Sequence, residues 1–591
     1  MQANIGLGRK IALESKNAAD ISTPDDISFA GLALASLWRD SCLANHRLCN
    51  IRSPLTADPP TRLLNVTEPK RAYLEETTGL GWKPYVALSY CWGPGEHFQT
   101  LRENVNQHRS GIPVDDLPAT LRGAIQATNQ LGYGHIWIDA LCIIQDDKAD
   151  LGKELEHMGD IYRHAVLTLC AAGAETSHSG LFHRKNPLEL YPCKVHVTAV
   201  PGGREVELDV ALTGICNGHD YLAARGWVLQ EEVLSSRAVI FGSEISWRCI
   251  ESWADETSPV PHQTRRSEPG TDEMRLWLYE PDHATQANMA AGKTPFDAWQ
   301  NMVRGYSDRD LSFTSDTLRA ISGLADMFAR MHGTTYLAGL WKENLMADLA
   351  WYVFVNDARV VETHETRLTA PSWSWASVGK VRIRFPRQSS AYGLHTGIRR
   401  PAPAILLHVF CTSKDPINDA AAVRPSEAGI EYMWSLKLAG PLRRLVLLVN
   451  KDYADWRINK NIYGEEEGET PYKSSSAMVS SAIQPRFPGI LSRLDSPGRI
   501  VGEVALDSHA LPVNTDRRIT ADGECMNVFC LPLLDEDRRR SHEPGLILCL
   551  VLAPLQPGSN LYMRLGLGYL TEEGWFGKEP NDDMIVECDI V

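Results

Sequence analysis

YVALSYCWG, residues Tyr85–Gly93, decides the fold of this chain together with two later stretches, Trp137–Asp147 (WIDALCIIQDD) and Arg225–Phe241 (RGWVLQEEVLSSRAVIF). In each stretch, apolar strand-like residues meet a Trp, Cys, Asp or Glu near a predicted strand end. Open α/β proteins bind ligands at the carboxyl ends of their strands. These stretches, named box 1, box 2 and box 3 in chain order, therefore either hold a core together or form a pocket.

The chain around the boxes alternates between strand and helix patterns. A first helix is predicted over 28–50, and a second over 116–130 that opens at Asp116 with Pro118 in its first turn. The remaining predicted helices are 151–164 and 222–234, and the predicted strands are 85–90, 135–139, 166–171 and 238–242. Such alternation predicts a parallel sheet with helices on both faces, and crossover handedness places the three boxes at one carboxyl edge.

The length of the chain, 591 residues, exceeds one hydrophobic core, since domains average roughly 150 residues. Four segments are predicted. They are an N-terminal helical segment (1–59), an α/β domain (60–255), a loop and helical continuation (256–370), and a β-rich domain (371–591) with a mobile loop near 456–486.

Secondary structure is also predicted for the two segments after residue 255. A capped amphipathic helix is predicted to open at Asp316, and Ser372–Trp375 (SWSW) is interpreted as a strand that plugs the α/β domain. Further strands are predicted at 381–385, 405–410, 434–438, 445–449, 500–506, 528–531, 546–552 and 585–588.

Composition excludes some functions. The net charge of −15 argues against nucleic-acid binding as the main activity, because such proteins concentrate positive charge. The longest apolar runs, such as Leu546–Leu555, are too short to span a membrane, and the N-terminus lacks signal-peptide features. Thirteen cysteines, mostly in apolar runs, are typical of reduced thiols, so a cytoplasmic location is expected.

Familiar cofactor and catalytic motifs are missing. Gly292-Lys293-Thr294 resembles the end of a phosphate-binding loop, but Ala287 stands at the upstream glycine position. The sequence contains neither G-x-S-x-G nor H-E-x-x-H. No bound cofactor is expected.

Cys42, His46 and Cys49 recur at i, i+4 and i+7, which is one face of a helix. Zinc could use this spacing, but only three ligands are evident and a structural site needs four. The favoured interpretation is packing of this helix on the α/β core, and no metal site is expected.

Cys142 follows a predicted strand end, as a nucleophile or a substrate-binding group could. No His is placed by the sequence to activate its thiol, so a buried structural role is favoured.

At the boxes the chain resembles the fungal heterokaryon-incompatibility (HET) domain family. The resemblance extends from Trp38 to Ser377 and includes the three boxes, the segment 158–174 (MGDIYRHAVLTLCAAGA) and Ala370–Val378 (APSWSWASV). One departure is Ile144, where the family often has Asn, so the pocket of this member is expected to differ there. The resemblance implies a role in non-self recognition between fungal strains that ends in cell death.

HET domains in turn are similar to Toll/interleukin-receptor (TIR) domains, several of which cleave NAD with the Glu of a Trp-Cys-x-x-Glu motif. Box 3 has the same Trp-to-Glu spacing at Trp227 and Glu231, with Val228 in the place of Cys. The resemblance therefore implies that Glu231 is the key carboxylate. Breaking the nicotinamide–ribose bond builds positive charge on the ribose, and a carboxylate can stabilise that charge.

The candidate site combines residues of all three boxes. Its predicted catalytic residues are Glu231 and Asp139, and its predicted substrate-binding residues are Ser89, Trp92, Cys142, Arg225, Trp227 and Arg237. Each also has a structural interpretation. The tryptophans can anchor the core, Asp139 can cap a turn, and Glu231 can pair with Arg225 or Arg237. Because the helix phase is uncertain by one residue, Glu232 could replace Glu231.

Three functional hypotheses remain open. The first is an effector that hydrolyses NAD or a related nucleotide, activated by self-assembly. The second is a HET fold repurposed as a secondary-metabolism enzyme, with Asp139, Glu231 and a Cys or His as acid–base groups on a small molecule. The third is a non-catalytic interaction module.

Overall fold

The structure is a computed structural model, and it divides into two compact units, Met1–Ala284 and Thr285–Val591. It describes residues 24–50, 60–78, 83–183, 193–199, 206–212, 219–263, 271–279, 293–354, 370–386, 399–401, 405–411, 423–426, 429–432, 434–449, 487–492, 500–506, 518–520, 523–536, 546–555, 559–570 and 585–591. The predicted mobile loop near 456–486 lies outside these residues, and the four predicted domain boundaries stay predictions.

The first unit is built on a ten-stranded sheet with the order β12-β11-β10-β9-β6-β3-β5-β1-β2-β4. Its strands are β1 (Arg62–Glu68), β2 (Arg71–Glu76), β3 (Val86–Ser89), β4 (Ile112–Pro113), β5 (His135–Trp137), β6 (Leu167–Cys170), β9 (Arg237–Phe241), β10 (Ile245–Cys249), β11 (Ser252–Asp255) and β12 (His262–Gln263). A separate hairpin contains β7 (Cys193–Ala199) and β8 (Val206–Leu212).

Four central strands confirm the strands predicted at 85–90, 135–139, 166–171 and 238–242, but the prediction of a wholly parallel sheet is wrong. Strands β5, β3, β6 and β9 pair in parallel, and every other neighbour in this sheet pairs antiparallel. The reason is the length of the connections. Only Pro69 and Lys70 separate β1 from β2, which allows a hairpin but no crossover.

The described helices of this unit are α1 (Pro24–Asn45), α2 (Val105–Ser110), α3 (Ala119–Gln130), α4 (Asp139–Cys142), α5 (Lys148–His164), α6 (Gly226–Leu234) and α7 (Thr271–Tyr279). The four predicted helices are confirmed, with shifted ends, and the described residues form three short helices that were not predicted, α2, α4 and α7. Helix α3 begins at Ala119 rather than at Asp116. Pro118 holds Leu117 in an extended conformation (ψ 146°), because a residue before proline avoids the helical region.

Two tyrosines fasten helix α5 to the central strand β3. The Tyr85 hydroxyl donates to the carbonyl of Ile161 at 2.6 Å, and the Tyr162 hydroxyl donates to the carbonyl of Leu88 at 2.9 Å. Both rings are buried in the core of the sheet, and Tyr162 also packs edge-on against Trp137. Both hydroxyls are thus satisfied, Tyr85 at the amino end of β3 and Tyr162 at the Leu88 carbonyl near its carboxyl end.

The second unit begins with short helices and turns. These are α8 (Pro295–Tyr306), α9 (Ser322–His332) and α10 (Leu345–Asp348), with the strand pairs β13 (Tyr336–Leu337) and β14 (Leu340–Trp341), and β15 (Tyr352–Phe354) and β16 (Arg382–Arg384). The prediction that a helix opens at Asp316 is wrong. Thr314–Asp316 forms a single 3-10 turn, and the helix starts at Ser322.

The rest of this unit is a β structure, as predicted. Its large sheet contains β17 (Arg399–Pro401), β18 (Ile405–Cys411), β21 (Trp434–Pro441), β22 (Arg443–Val449), β23 (Phe487–Ser492), β24 (Ile500–Leu506), β25 (Arg518–Thr520), β26 (Gly523–Glu536), β27 (Leu546–Pro554), β28 (Leu561–Leu570) and β29 (Ile585–Ile590). A small hairpin holds β19 (Val423–Ser426) and β20 (Gly429–Tyr432). Strands β22, β23, β24, β28, β27 and β26 pair antiparallel in a closed ring around an apolar core.

The SWSW segment is not a strand. Residues Trp375–Val378 form a 3-10 helix, because the Ser374 side chain caps it by accepting from the amide of Ala376 at 3.1 Å. The amide of Ser372 donates to the carbonyl of Val591, so the segment is fastened within its own unit.

No helix in the described ranges is long and apolar enough to cross a membrane.

Candidate functional site

Box 1 and box 2 meet at the carboxyl ends of two neighbouring parallel strands. Trp92 follows β3, and Asp139 opens α4 directly after β5. The Trp92 indole N–H donates to Asp139 Oδ2 at 2.9 Å, while Asp139 Oδ1 accepts from the amide of Ala140 at 2.7 Å. Both side chains are partly buried, so this indole–carboxylate pair lies at the rim of the core.

The carboxyl group of Asp139 titrates above its ordinary range. Burial raises its pKa, and this effect exceeds the opposing influence of the Trp92 hydrogen bond and the positive charge of Arg225. Tyr90 also lies close enough to Asp139 to favour its charged form. Asp139 is therefore both a cap of the short helix α4 and a titratable group of the site.

Box 3 presents Glu231, and not Glu232, to the core side of helix α6. Glu231 is 5% exposed. Glu232 lies on the neighbouring face, where Oε1 forms an ion pair of 2.6 Å with Arg248 Nη1. The structure thus settles the helix phase that the sequence left open.

Glu231 sits among polar groups of the other boxes. Burial raises its pKa to about 7, against the lowering effects of the Arg225 charge, Ser89 and Tyr162, and with a further raising effect from Asp139. Even so, Glu231 Oε2 and Ser89 Oγ are buried and make no hydrogen bond of normal geometry. Within the described residues, no ion pair within 4.0 Å includes Glu231.

Arg225 is the cation of this cluster. It precedes α6 and donates from Nη1 to the carbonyl of Tyr90 in box 1. The charges of Glu231 and Asp139 both raise its pKa, although burial opposes them. Trp227 lies one turn before Glu231 on the same helix and is partly buried against the core. The structure therefore brings together Ser89, Trp92, Asp139, Arg225 and Glu231.

Two predicted substrate-binding residues lie in other surroundings. The Arg237 guanidinium donates to Cys42 Sγ at 3.2 Å and to the carbonyl of Cys49 at 2.8 Å. Cys142 is fully buried, and burial raises the pKa of its thiol to about 12, so it is a neutral core thiol at neutral pH. Its carbonyl accepts from Arg62 Nε at 2.7 Å.

The sequence reasoning missed Tyr90 and Tyr162 as neighbours of the carboxylates. Tyr162 follows helical spacing and therefore had only a core interpretation. Tyr90 directly follows strand β3 inside box 1, so the shared sheet edge could have predicted its position beside Asp139.

The departure at Ile144 has a structural counterpart. Its amide donates to Asp150 Oδ2 at 2.8 Å, and its side chain packs on the core of the sheet. The following Gln145 donates to the carbonyl of Asp139 at 3.0 Å, so this turn supports the site through Gln145.

The three boxes also match a known protein family. The profile of the family "Heterokaryon incompatibility protein (HET)" matches residues 85–231, which include all of box 1, all of box 2 and box 3 as far as Glu231. The chain is 34% identical over 89 residues to "Heterokaryon incompatibility protein 6, OR allele" of Neurospora crassa, and this match covers 14% of the chain and 13% of that protein. No solved structure matches the chain. Residues 85–231 of this chain therefore constitute a heterokaryon incompatibility (HET) domain.

Proposed function

We propose that this HET-domain protein acts in heterokaryon incompatibility by hydrolysing NAD or a related nucleotide at the nicotinamide–ribose bond, with Glu231 as the essential carboxylate. One observation carries the proposal. Glu231 is buried beside the carboxyl edge of the sheet with one oxygen lacking a hydrogen bond, while the adjacent Glu232 forms the structural ion pair. A buried carboxylate with one oxygen that makes no hydrogen bond suits a cationic transition state.

The proposed reaction is balanced without a further reactant. The bond between the ribose C1′ and the pyridinium nitrogen breaks, and its electron pair leaves with nicotinamide as a neutral base. Water adds to C1′, and its proton passes to the Glu231 carboxylate and then to solvent. Because nicotinamide departs neutral, the site needs no acid for the leaving group.

The neighbouring groups fit the rest of a dinucleotide. In this proposal Arg225 faces phosphate, the Trp92 ring stacks on a base, and Asp139 and Ser89 bind ribose hydroxyls. For these contacts Asp139 exchanges its hydrogen bond from Trp92 for one from the ligand. Self-assembly of the chain is proposed as the activating step.

No disulfide joins any of the nine cysteines whose side chains the structure describes. Reduced thiols support a cytoplasmic location for this activity.

Removal of the Glu231 charge tests the proposal. Purified full-length protein is incubated with NAD at high protein concentration with a crowding agent, and nicotinamide release is followed for wild type, Glu231→Gln and Glu232→Gln. We expect Glu231→Gln to lower the rate by roughly 100-fold or more, because it removes a charge that stabilises the transition state. Glu232→Gln breaks the Arg248 ion pair and keeps the Glu231 charge, so its rate should stay near wild type.

The pH dependence provides an independent check. Since the pKa of Glu231 is raised to about 7 and the carboxylate is the active form, the wild-type rate should rise from pH 6 to pH 8 and then level off. Equal rates for folded wild type and Glu231→Gln would refute the proposal. Silence of every form under assembly conditions would favour the interaction module, and turnover of another small molecule would favour the repurposed enzyme.

A further inference from the structure

A second constellation lies outside the candidate site, around three cysteines and one histidine of the first unit. Cys42 lies near the end of helix α1, His46 directly follows that helix, Cys49 lies in the 3-10 turn Leu48–Asn50, and Cys249 ends strand β10. One ligand atom of each residue lies within 4.8 Å of the ligand atoms of the other three. The fold therefore supplies the fourth ligand that the spacing of Cys42, His46 and Cys49 lacks.

The distances within this group, called the Cys3His cluster, suit a tetrahedral zinc ion. Zinc bonds of about 2.3 Å to sulfur and about 2.0 Å to nitrogen place sulfur and nitrogen ligands about 3.6 Å apart. His46 Nδ1 lies 3.3 Å from Cys249 Sγ and 3.9 Å from Cys49 Sγ. The histidine thus stands at tetrahedral distances from two thiols on different elements.

The chemistry of the donors selects the metal. Three sulfurs and one imidazole nitrogen favour zinc over magnesium or calcium, which prefer oxygen ligands. All three thiols are buried, and none is joined in a disulfide. Four protein ligands leave no open position, and a closed site of this type is structural rather than catalytic.

The surroundings also fit a bound cation with three thiolates. Such a site carries one net negative charge, and the buried guanidinium of Arg237 donates to Cys42 Sγ. In the described part of the chain, no ion pair within 4.0 Å includes Arg237, which donates to Cys42 Sγ, to the Cys49 carbonyl and to Asn50 Oδ1. The amide of Ser252 donates to Cys249 Sγ at 3.2 Å. Contacts of this kind orient metal ligands and tune their basicity.

We propose that Cys42, His46, Cys49 and Cys249 bind one structural zinc ion, with Arg237 as the positioning residue that balances its charge. The ion joins helix α1 to the end of strand β10, two elements separated by about 200 residues of chain. Two further hydrogen bonds join helix α1 and the turn after it to the loops that flank β11. The amide of Leu48 donates to Glu251 at 2.6 Å, and the Trp38 indole donates to the carbonyl of Pro259 at 2.8 Å.

The first experiment measures zinc in full-length protein purified from zinc-supplemented medium without chelator, by elemental analysis. We expect one zinc ion per chain in wild type and in the control Cys170→Ser, whose cysteine lies on β6 outside the cluster. Cys249→Ser should fall to background because it removes one of four ligands. Arg237→Leu keeps all four ligands and should bind zinc roughly 10- to 100-fold more weakly in a chelator competition.

Further measurements keep the proposal testable even where Cys249→Ser fails to fold. Wild type stripped of metal and reloaded with Co²⁺ should show the intense visible bands of a tetrahedral site and thiolate charge-transfer bands. Chelator should lower the apparent Tm of wild type and of Cys170→Ser. The proposal would be overturned if wild type contained no zinc and gained no cobalt spectrum. This holds whether a thiol assay finds the cluster cysteines free or joined in a disulfide.

Discussion

Glu231 is a carboxyl group that the fold holds where its charge is unfavourable. Burial raises its pKa from an ordinary 4.5 to about 7, which corresponds to about 3 kcal/mol of lost stability once both folded and unfolded states are ionised. One residue away, Glu232 obtains an ion pair with Arg248. At neutral pH the two adjacent carboxylates therefore have different effects on stability, since Glu231 is a buried charge and Glu232 is held in an ion pair.

Glu231→Gln should therefore stabilise the protein, and the gain should depend on pH. The folded state holds the Glu231 proton up to about pH 7, so wild-type stability falls between about pH 4.5 and pH 7 as the unfolded state ionises. We expect the urea midpoint of Glu231→Gln to exceed that of wild type at pH 8, by about 2–3 kcal/mol in free energy of unfolding. Below about pH 4.5 the gain should vanish.

Glu232→Gln serves as the matched control for this stability measurement. It breaks a largely buried ion pair and should destabilise the protein by about 1–3 kcal/mol at neutral pH. A pH-independent effect of Glu231→Gln would contradict the raised pKa.

At the scale of one element, the turn after β3 delivers Trp92 to Asp139. Gly93 adopts a left-handed conformation (φ 84°), and a Cβ atom there would stand 2.6 Å from the side chain of Thr176. The carbonyl of Trp92 accepts from the amide of Ser177, so the turn is pressed against the 176–177 backbone. Only glycine permits both the conformation and the close approach.

Gly93→Ala should therefore be clearly more damaging than Gly95→Ala. Gly95 has a similar conformation (φ 96°), but a Cβ atom there meets nothing within 4 Å. We expect Gly95→Ala to lower the free energy of unfolding by about 1–2 kcal/mol, because alanine is strained in the left-handed conformation. Gly93→Ala should lower it further, because its Cβ atom also clashes with Thr176. Chemical unfolding followed by tryptophan fluorescence measures the difference in stability. Equal destabilisation by the two substitutions would show that the Thr176 side chain moves aside without an energetic penalty.

At the scale of the whole molecule, the second unit contains a closed ring of six strands. The side chain of Arg564, on one of these strands, holds the turn that includes Leu349 and Trp351 against the ring. Arg564 on β28 is 2% exposed and donates to the carbonyls of Leu349 at 2.6 Å and Trp351 at 2.5 Å. Its guanidinium carbon also lies 3.5 Å from the centre of the Trp351 ring. Hydrogen bonds to a charged donor and a cation–π contact thus hold this turn on the ring.

Arg564→Met should loosen the second unit by about 3 kcal/mol, because it leaves two buried carbonyls without this donor. Hydrogen exchange on the full chain should show faster exchange in peptides that cover residues 345–354 and 561–570. Arg444→Met is the control, since Arg444 is exposed on the ring strand β22 and should change stability by less than about 0.5 kcal/mol. Unchanged exchange in Arg564→Met would show that apolar packing alone holds the turn.

Much of the fold was predictable because its signals are local. The four parallel strands and most helices follow from hydrophobic periodicity, and errors arose where local signals compete. Pro118 moved a helix start by its effect on Leu117, and SWSW became a 3-10 turn because Ser374 caps it. The hairpin of β1 and β2 was missed, and with it the mixed character of the sheet.

The sequence by itself determined the order of the three boxes, the Trp227-to-Glu231 spacing and the helical spacing of Cys42, His46 and Cys49, since these depend on neighbours along the chain. Only the tertiary structure decided which glutamate faces the core, which cation meets it, that Cys249 joins the Cys3His cluster and that six strands close into a ring. Each of these depends on contacts between residues far apart in sequence, and a periodic pattern specifies a buried face without specifying what lies against it.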